Sequence, residues 1–538
     1  MTIYILVVIC IFVLAYFIYA NFLERNLEIK ETEEVPSQVK KDGVDFVPTN
    51  RLVLLGHHFS SIAGAGPIVG PIFAGFSFGW VPTLLWIVIG AIFIGGVHDF
   101  CSLVISVRHQ GKSIAEIANK YIDKTTYKVL LVFIWFSLMY VVAVFADIAA
   151  DTFSSNASVA QVSMWYVGVA VLFGVLVYRV KFDLVTSTVI ALILILLGIV
   201  FNLNFKIIFL SKNIWIWILL LYCIFASVLP VWFLLQPRDY LSSYFLYFSV
   251  LIGILGLIFG KNKILYPGFV SFYSGSVGPL FPFIFITVAC GAISGFHSLV
   301  ASGTTSKQLD NIKNAKFVSY GGMILEGIVA AVSLSTLMML PFNTDLKNPQ
   351  QIYASGLSKF INVFGIEPEI GKTIGFLTIS AFILTTLDTA TRISRYIFQE
   401  LIEKHTSSLI DRIVATLVSL LLPFILLSVK IKDASGNIVP CWRIIWPLFG
   451  ATNQLLAALV LLVVFVWFKK QNYKGGYSIS LPMIFMVITT LSALVYTIYV
   501  KIFHRIIDIS IIMASILTIL AIFVIIKSIE KLSIYKKV

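Results

Sequence analysis

The feature that most constrains this chain is a succession of apolar runs, each long enough to cross the roughly 30 Å hydrocarbon core of a bilayer as a helix. Their centres fall near Val13, Pro67, Phe93, Leu138, Leu172, Leu192, Leu221, Ile252, Val288, Ala330, Ile383, Ser419, Ala458, Val487 and Leu517. That pattern predicts about 15 transmembrane helices. Composition agrees, because 59% of the 538 residues are apolar, 12% are charged and mean hydropathy is +0.97. A soluble domain carries about a quarter charged residues, so the bilayer has to be the solvent. The first run, Ile3 to Ala20, lacks the basic start and small-residue cleavage site of a signal peptide and continues into Asn21-Phe22-Leu23-Glu24-Arg25. It is taken as the first span of an all-α polytopic membrane protein.

A formal charge of +13 would suggest nucleic acid as the partner of a soluble protein, but here the basic residues sit in loops beside apolar spans. There they set membrane orientation. Roughly two thirds of the Lys and Arg follow odd-numbered spans, the side expected to face the cytoplasm. The segments Leu23 to Arg51 and Arg108 to Lys128 carry five each, whereas the turns near Phe78 and Ser155 carry none. The N-terminus is therefore predicted outside and the C-terminus cytoplasmic. Cys10, Cys101, Cys223, Cys290 and Cys441 show no CxxC spacing, so they are expected to be packing residues rather than disulfide or zinc ligands.

Several spans are not ordinary helices. Span two contains Gly56-His57-His58-Phe59-Ser60-Ser61-Ile62-Ala63-Gly64-Ala65-Gly66-Pro67-Ile68-Val69-Gly70-Pro71. The prolines each remove a backbone donor and the glycines make unwinding cheap, so a broken helix is expected here. Backbone freed at membrane depth survives only where protein or a wet cavity answers it, and transporters place ion and anion sites at such breaks. Close packing of small residues is the alternative explanation. Span seven ends in Val228-Leu229-Pro230-Val231-Trp232-Phe233-Leu234-Leu235-Gln236-Pro237-Arg238-Asp239-Tyr240 and is expected to be a second broken helix. Span nine carries Ser294-Gly295-Phe296-His297-Ser298 and Ser302-Gly303-Thr304-Thr305-Ser306, rich in the hydroxyls that suit cation coordination. Breaks in spans two and seven, five apart and oppositely oriented, would open two inverted five-helix repeats. The resulting division is residues 1–50, a first span and basic loop; 51–210, the first repeat; 211–405, the inverted second; and 406–538, accessory helices. Placing span nine as the eighth helix of a leucine-transporter-type 5+5 core rests on fold analogy.

Gly56 to Gly64, Gly96-Val97-His98-Asp99-Phe100, Leu229 to Leu241, Ser294 to Gln308, Thr386-Leu387-Asp388-Thr389-Ala390-Thr391-Arg392 and Phe449-Gly450-Ala451-Thr452-Asn453-Gln454-Leu455-Leu456-Ala457 together resemble the carbon starvation protein A family, from about Val44 to Trp467. The resemblance implies uptake of peptides or of pyruvate under nutrient limitation, with proton coupling proposed for the pyruvate carriers. It places the chain in a bacterial inner membrane. The chain is shorter than the longest members, which have more C-terminal spans.

Ionisable residues inside a bilayer are costly and are functional candidates by default. His57 and His58 are expected at the cytoplasmic edge of span two, as interfacial caps or proton relays. His297, deeper and beside the hydroxyl cluster, is the leading candidate for a substrate or proton ligand. Histidines on several spans without i,i+4 pairing or interleaved cysteines argue against a metal. Asp99 follows His98 near the end of span three. Asp147 and Asp151 share a helix face, where like charges would repel and favour a proton on Asp147. Glu326 lies within span ten. Asp388 and Arg392, at i,i+4, are expected to neutralise each other, and Asn453 and Gln454 to make interhelical hydrogen bonds.

The mechanism expected is binding of a substrate carboxylate against N–H groups at Gly64, Gly66 and Gly70, with Gln236 and His297 as donors and Ser298 beside them. Coupling would use protons on His57, His58, Asp99, His297, Asp147 or Glu326. Alternatively, sodium would bind between the carbonyls around Ala63 and the hydroxyls of Ser302, Thr304 and Thr305. No cofactor beyond the coupling ion is expected. There is no GxxxxGK[ST] for nucleotide, and no GxSxG or HExxH supports an intramembrane enzyme; a passive channel remains the main rival.

Overall fold

The computed structural model describes all residues except 206, 343–347, 404–407, 433–437, 506–507 and 536–538. Thirteen helices among the described residues are long and apolar enough to cross a membrane. Span one is Thr2–Asn26, two Arg51–Phe78, three Trp80–Arg108, four Lys124–Ser155, five Ala157–Val180, six Leu184–Asn202 and eight Leu235–Phe259. Span ten is Lys316–Met338, eleven Pro368–Leu401, twelve Leu409–Ser428, thirteen Leu448–Lys470, fourteen Tyr477–Phe503 and fifteen Ile509–Ser533.

Two of the expected spans take other forms. Leu221 lies in Lys212–Val228, a helix of 17 residues. Val288 falls in a non-helical gap between the half-helices Leu280–Thr287 and Gly295–Gly303, which together make span nine. A further helix, Pro349–Asn362, packs against spans eight, ten and eleven. Its composition is too polar to read as an apolar run, yet Ile352, Tyr353, Leu357 and Phe360 are buried.

The break expected in span seven is not there. Lys212–Val228 runs unbroken, and Pro230 lies in the link to span eight, whose first turn contains Gln236, Pro237 and Arg238. Proline is tolerated in a first turn because that N–H has no intrahelical acceptor. The broken spans are instead two and nine, so the five-span spacing that suggested an inverted repeat loses its second discontinuous helix.

Span two breaks where its sequence demands. Asn50 caps the first half-helix, Arg51–Ala63, by accepting from Leu52 N. Gly64 then takes φ +47°, and Pro67 sits in the first turn of the second half-helix, Gly66–Phe78. In span nine the turn is made at Gly291, with φ +88°. The two breaks face each other. A Cβ on Gly66 would lie 2.4 Å from Cys290 Cβ, and one on Gly70 would lie 2.8 Å from Thr287 O. Break and close packing are thus the same feature.

Burial separates an inner from an outer shell. The apolar window of span ten is 83% buried and those of spans two, eleven and thirteen 72%, against 28% for spans one, fourteen and fifteen. The outer helices turn Ile3, Phe17, Leu481, Ile519 and similar side chains outward, as lipid-facing helices must. The loops 27–50 and 109–113, both expected on one side of the membrane, do meet at one end of the bundle, where Arg108 pairs with Glu33 at 2.7 Å and Lys40 donates to Gln110 O. This is the basic end of the bundle.

Gly66→Val should lower the thermal unfolding temperature of the detergent-solubilised protein, with an overpacking cost of about 1–3 kcal/mol. Gly168→Ala, where a Cβ meets nothing within 4 Å, should leave it unchanged. Equal melting of the two variants would show that the breaks do not pack as described.

Candidate functional site

Polar groups released at a helix break need partners, and the gap Val288–Ser294 obtains them from three other helices, spans three, ten and thirteen. Trp86 Nε1 donates to Val288 O at 3.0 Å, and Gly291 N donates to Glu326 Oε1 at 3.0 Å. Gln454 Nε2 donates to Phe285 O and Ile293 O, while Asn453 Oδ1 accepts from Phe296 N in the first turn of Gly295–Gly303. Asn453 and Gln454 do make interhelical bonds, and their particular task is to cap this break.

Around the breaks lie two buried ionisable networks. In the first, Asp99 is the hub: His98 Nδ1 reaches Oδ1 at 2.8 Å and His297 Nδ1 reaches Oδ2 at 2.9 Å. His297 Nε2 then lies 3.3 Å from Glu326 Oε2. In the second, Asp239 accepts from His57 Nδ1 at 2.7 Å and from Arg238 Nη2 at 2.8 Å, and Arg238 also pairs with Asp388 at 2.7 Å. Tyr222 donates to Asp388 and accepts from Arg238, both at 2.7 Å. Hydroxyls join the networks across span two, since His57 Nε2 is 3.2 Å from Thr304 Oγ1 and His58 Nδ1 is 2.9 Å from Thr305 Oγ1. His57, His58, His98, Asp99, Arg238, Asp239, His297, Glu326 and Asp388 have no exposed surface.

Charge balance gives this arrangement its chemistry. With neutral imidazoles, Asp99, Glu326, Asp239 and Asp388 oppose a single guanidinium, that of Arg238. Unpaired negative charge in a low-dielectric interior costs several kcal/mol per ion, so the networks have to hold protons or a cation.

Several expectations change. His57 and His58 are deep within the bundle rather than interfacial caps. Asp388 and Arg392 form no direct ion pair: Asp388 pairs with Arg238, while Arg392 pairs with Asp45 at 2.9 Å and donates to Ala226 O and Leu229 O. Asp147 and Asp151 lie away from the networks, where Lys212 reaches them at 3.0 and 3.2 Å and relieves their repulsion. Gln236 donates to Thr49 Oγ1 and Gln308 Oε1, each at 2.7 Å, and so ties span eight to the chain after span nine. Ser298, Ser302 and Thr304 donate to Gly295 O, Ser298 O and Val300 O. Ala63 ends the first half-helix of span two, and a Cβ on Gly64 would stand 2.9 Å from Thr386 Oγ1. Cys290, from the gap, has its Sγ within 4.8 Å of ligand atoms of His297 and Glu326, a convergence that spacing along one helix could not reveal.

A cavity of about 480 Å³ opens at the basic end and reaches Leu299, Ser302 and Gly303 of span nine. Its charged lining was missed in the sequence because it is assembled from five separate segments and includes Asp45, Lys307, Arg395 and Glu400. Burial alone would raise the Asp45 carboxyl, but Arg395, Arg392 and Lys307 hold it well below the usual carboxylate range. Burial pushes the Lys307 ammonium down to about 8, against the opposing pull of Asp45.

Arg238→Gln strands Asp239 and Asp388, and should destabilise the protein by about 3–5 kcal/mol, as breaking a buried pair does. Adding Asp388→Asn should recover part of that loss in a double-mutant unfolding cycle. Strictly additive effects would mean that the two residues do not interact.

The sequence matches the family described as Carbon starvation protein CstA over residues 1–344 and 342–493. It is 31% identical to the Peptide transporter CstA of Campylobacter jejuni, over 90% of this chain and 78% of that protein. It is 29% identical to the Pyruvate/proton symporter BtsT of Escherichia coli, over 86% of this chain and 77% of that protein. Among solved structures, the Eremococcus coleocola manganese transporter aligns with a TM-score of 0.47 at 13% identity, covering 92% of this chain and 99% of that one. The named relatives are transporters rather than enzymes, and this multi-pass membrane protein belongs to the carbon starvation protein CstA family.

Proposed function

We propose that this chain is a secondary active transporter that takes up peptides or small carboxylates such as pyruvate, coupled to protons, across the inner membrane of a bacterium under nutrient limitation. The observation that carries the proposal is the pair of buried networks at the facing breaks, where four carboxylates oppose one guanidinium. A site that must hold protons, built where two half-helices can separate, is what ion-coupled alternating access needs. The relatives' printed names support both substrate classes.

In this proposal the basic end faces the cytoplasm, with the N-terminus outside and the C-terminus inside. The cavity is then the inward vestibule. Residues 51–210 and 211–405 are the two halves that move against each other, and each contains one of the breaks that touch. Separation of Gly66 and Gly70 from Cys290 and Thr287 frees N–H groups at the positive end of a half-helix for the substrate carboxylate. His297, shared between Asp99 and Glu326, carries the coupling proton; His57 with Asp239 provides a second relay. Protons are preferred to sodium because Ser302 and Thr304 donate to carbonyls, whereas Thr304 and Thr305 also contact imidazoles. Gln236 acts as a strut rather than as a substrate ligand.

Purified protein in proteoliposomes should accumulate labelled pyruvate or a dipeptide when an inward proton gradient is imposed, and His297→Gln should abolish accumulation. Accumulation driven by sodium alone would reassign the ion. Flux indifferent to both gradients would mean a passive channel, and flux of neither substrate would remove the substrate assignment.

Lys307 lines the vestibule and is charged below about pH 8. At equal pH on both sides, pyruvate exchange should therefore show an apparent affinity that weakens as pH rises through that value. A lost charge-assisted hydrogen bond is worth about 1.5–3 kcal/mol, or roughly tenfold or more. Lys307→Arg should keep the affinity, and an unaltered pH profile in that variant would exclude Lys307 as the cause.

A further inference from the structure

We infer that Cys290, His297 and Glu326 form a binding site for a divalent transition metal of the Zn²⁺ class, at the break of span nine. Their thiol, imidazole and carboxylate ligand atoms all lie within 4.8 Å of one another. His297 Nε2 and Glu326 Oε2 are 3.3 Å apart, which is roughly the separation of two ligand atoms on a tetrahedral ion with bonds of about 2.0–2.2 Å. Both atoms are buried, and neither makes a hydrogen bond of good geometry. They point at each other and at the Cys290 thiol without another polar group to satisfy them.

The surroundings orient these atoms as a metal site requires. Asp99 holds His297 Nδ1 at 2.9 Å, and its other oxygen is held by His98 Nδ1 at 2.8 Å. A carboxylate on Nδ1–H fixes the tautomer and turns the Nε2 lone pair toward Cys290 and Glu326, as carboxylate-backed metal histidines do. Gly291 N occupies the second oxygen of Glu326 at 3.0 Å, leaving Oε2 for the ion. Cys290 is partly exposed. One sulfur, one imidazole and one carboxylate suit Zn²⁺ or Co²⁺ and not Mg²⁺ or Ca²⁺, which take oxygen ligands. Three protein ligands leave a fourth position open.

Binding deprotonates the thiol and displaces any proton held between His297 and Glu326, both protons passing to solvent. The ion then joins the gap of span nine to span ten beside Gly66, whose Cβ position lies 2.5 Å from Cys290 Sγ. A metal here competes with protonation of the same groups and fastens the span-nine break to span ten.

The full chain, purified in detergent and freed of metal with a chelator, is titrated with Co²⁺. The expected result is one Co²⁺ per chain with the visible absorption of a tetrahedral ion and a near-ultraviolet thiolate-to-metal band. Cys290→Ser should remove the thiolate band, and Glu326→Gln should weaken binding at least tenfold. In the wild-type chain, Zn²⁺ but not Mg²⁺ should protect Cys290 from alkylation, scored by mass spectrometry at that residue. A thiolate band that persists in Cys290→Ser, no such band in the wild type, or alkylation indifferent to Zn²⁺ would each overturn the inference. These readouts do not involve flux, so their failure leaves the transport proposal standing, and a failure of transport leaves the metal site standing.

Discussion

Backbone polarity released inside a bilayer must be answered within the protein, and in this chain that requirement is met where spans two and nine break against each other. A lipid-exposed gap would leave each unpaired group costing several kcal/mol. Here Trp86, Glu326, Asn453 and Gln454 bond the gap of span nine, and Gly66 and Gly70 let span two approach it closely. The most buried spans, two, ten, eleven and thirteen, form the inner shell around that meeting point. The peripheral spans turn apolar side chains outward and enclose it.

The same meeting point concentrates charge. Glu326 both bonds the gap backbone and faces His297, so the group that stabilises the break also belongs to the titratable network. The proposed transport cycle couples conformation and protonation through this one side chain. Opening the gap removes a hydrogen bond from a carboxylate, and adding a proton to that carboxylate weakens its hold on the gap. Arg238 plays a comparable part in the second network, where it joins spans seven, eight and eleven through Tyr222, Asp239 and Asp388.

Much of this was legible in the sequence. Thirteen of the expected spans appear as long apolar helices, because hydropathy over a bilayer thickness is a property of a contiguous segment. The break in span two was legible for the same reason, since Gly64 and Pro67 act on their own backbone. Span seven misled because Pro230 and Pro237 are equally at home in a link and a first helical turn, which local chemistry does not distinguish. Pro349–Asn362 was missed because it is buried by other protein rather than by lipid, and so needs no apolar run.

Pairings were the part that sequence could not supply. Asp388 and Arg392 stand one helical turn apart, yet each finds its partner on another segment, Arg238 and Asp45. His57 meets Asp239, and His297 meets Asp99 and Glu326, across large separations along the chain. The sequence by itself determined that the chain lives in a bilayer, how its spans are laid out, where span two must unwind and which residues carry costly charge. Each of those follows from local hydropathy and backbone chemistry. Which charges neutralise one another, which helices bond the break and that Cys290 faces His297 and Glu326 were decided only by tertiary packing, because side chains distant in sequence become neighbours only when the helices pack.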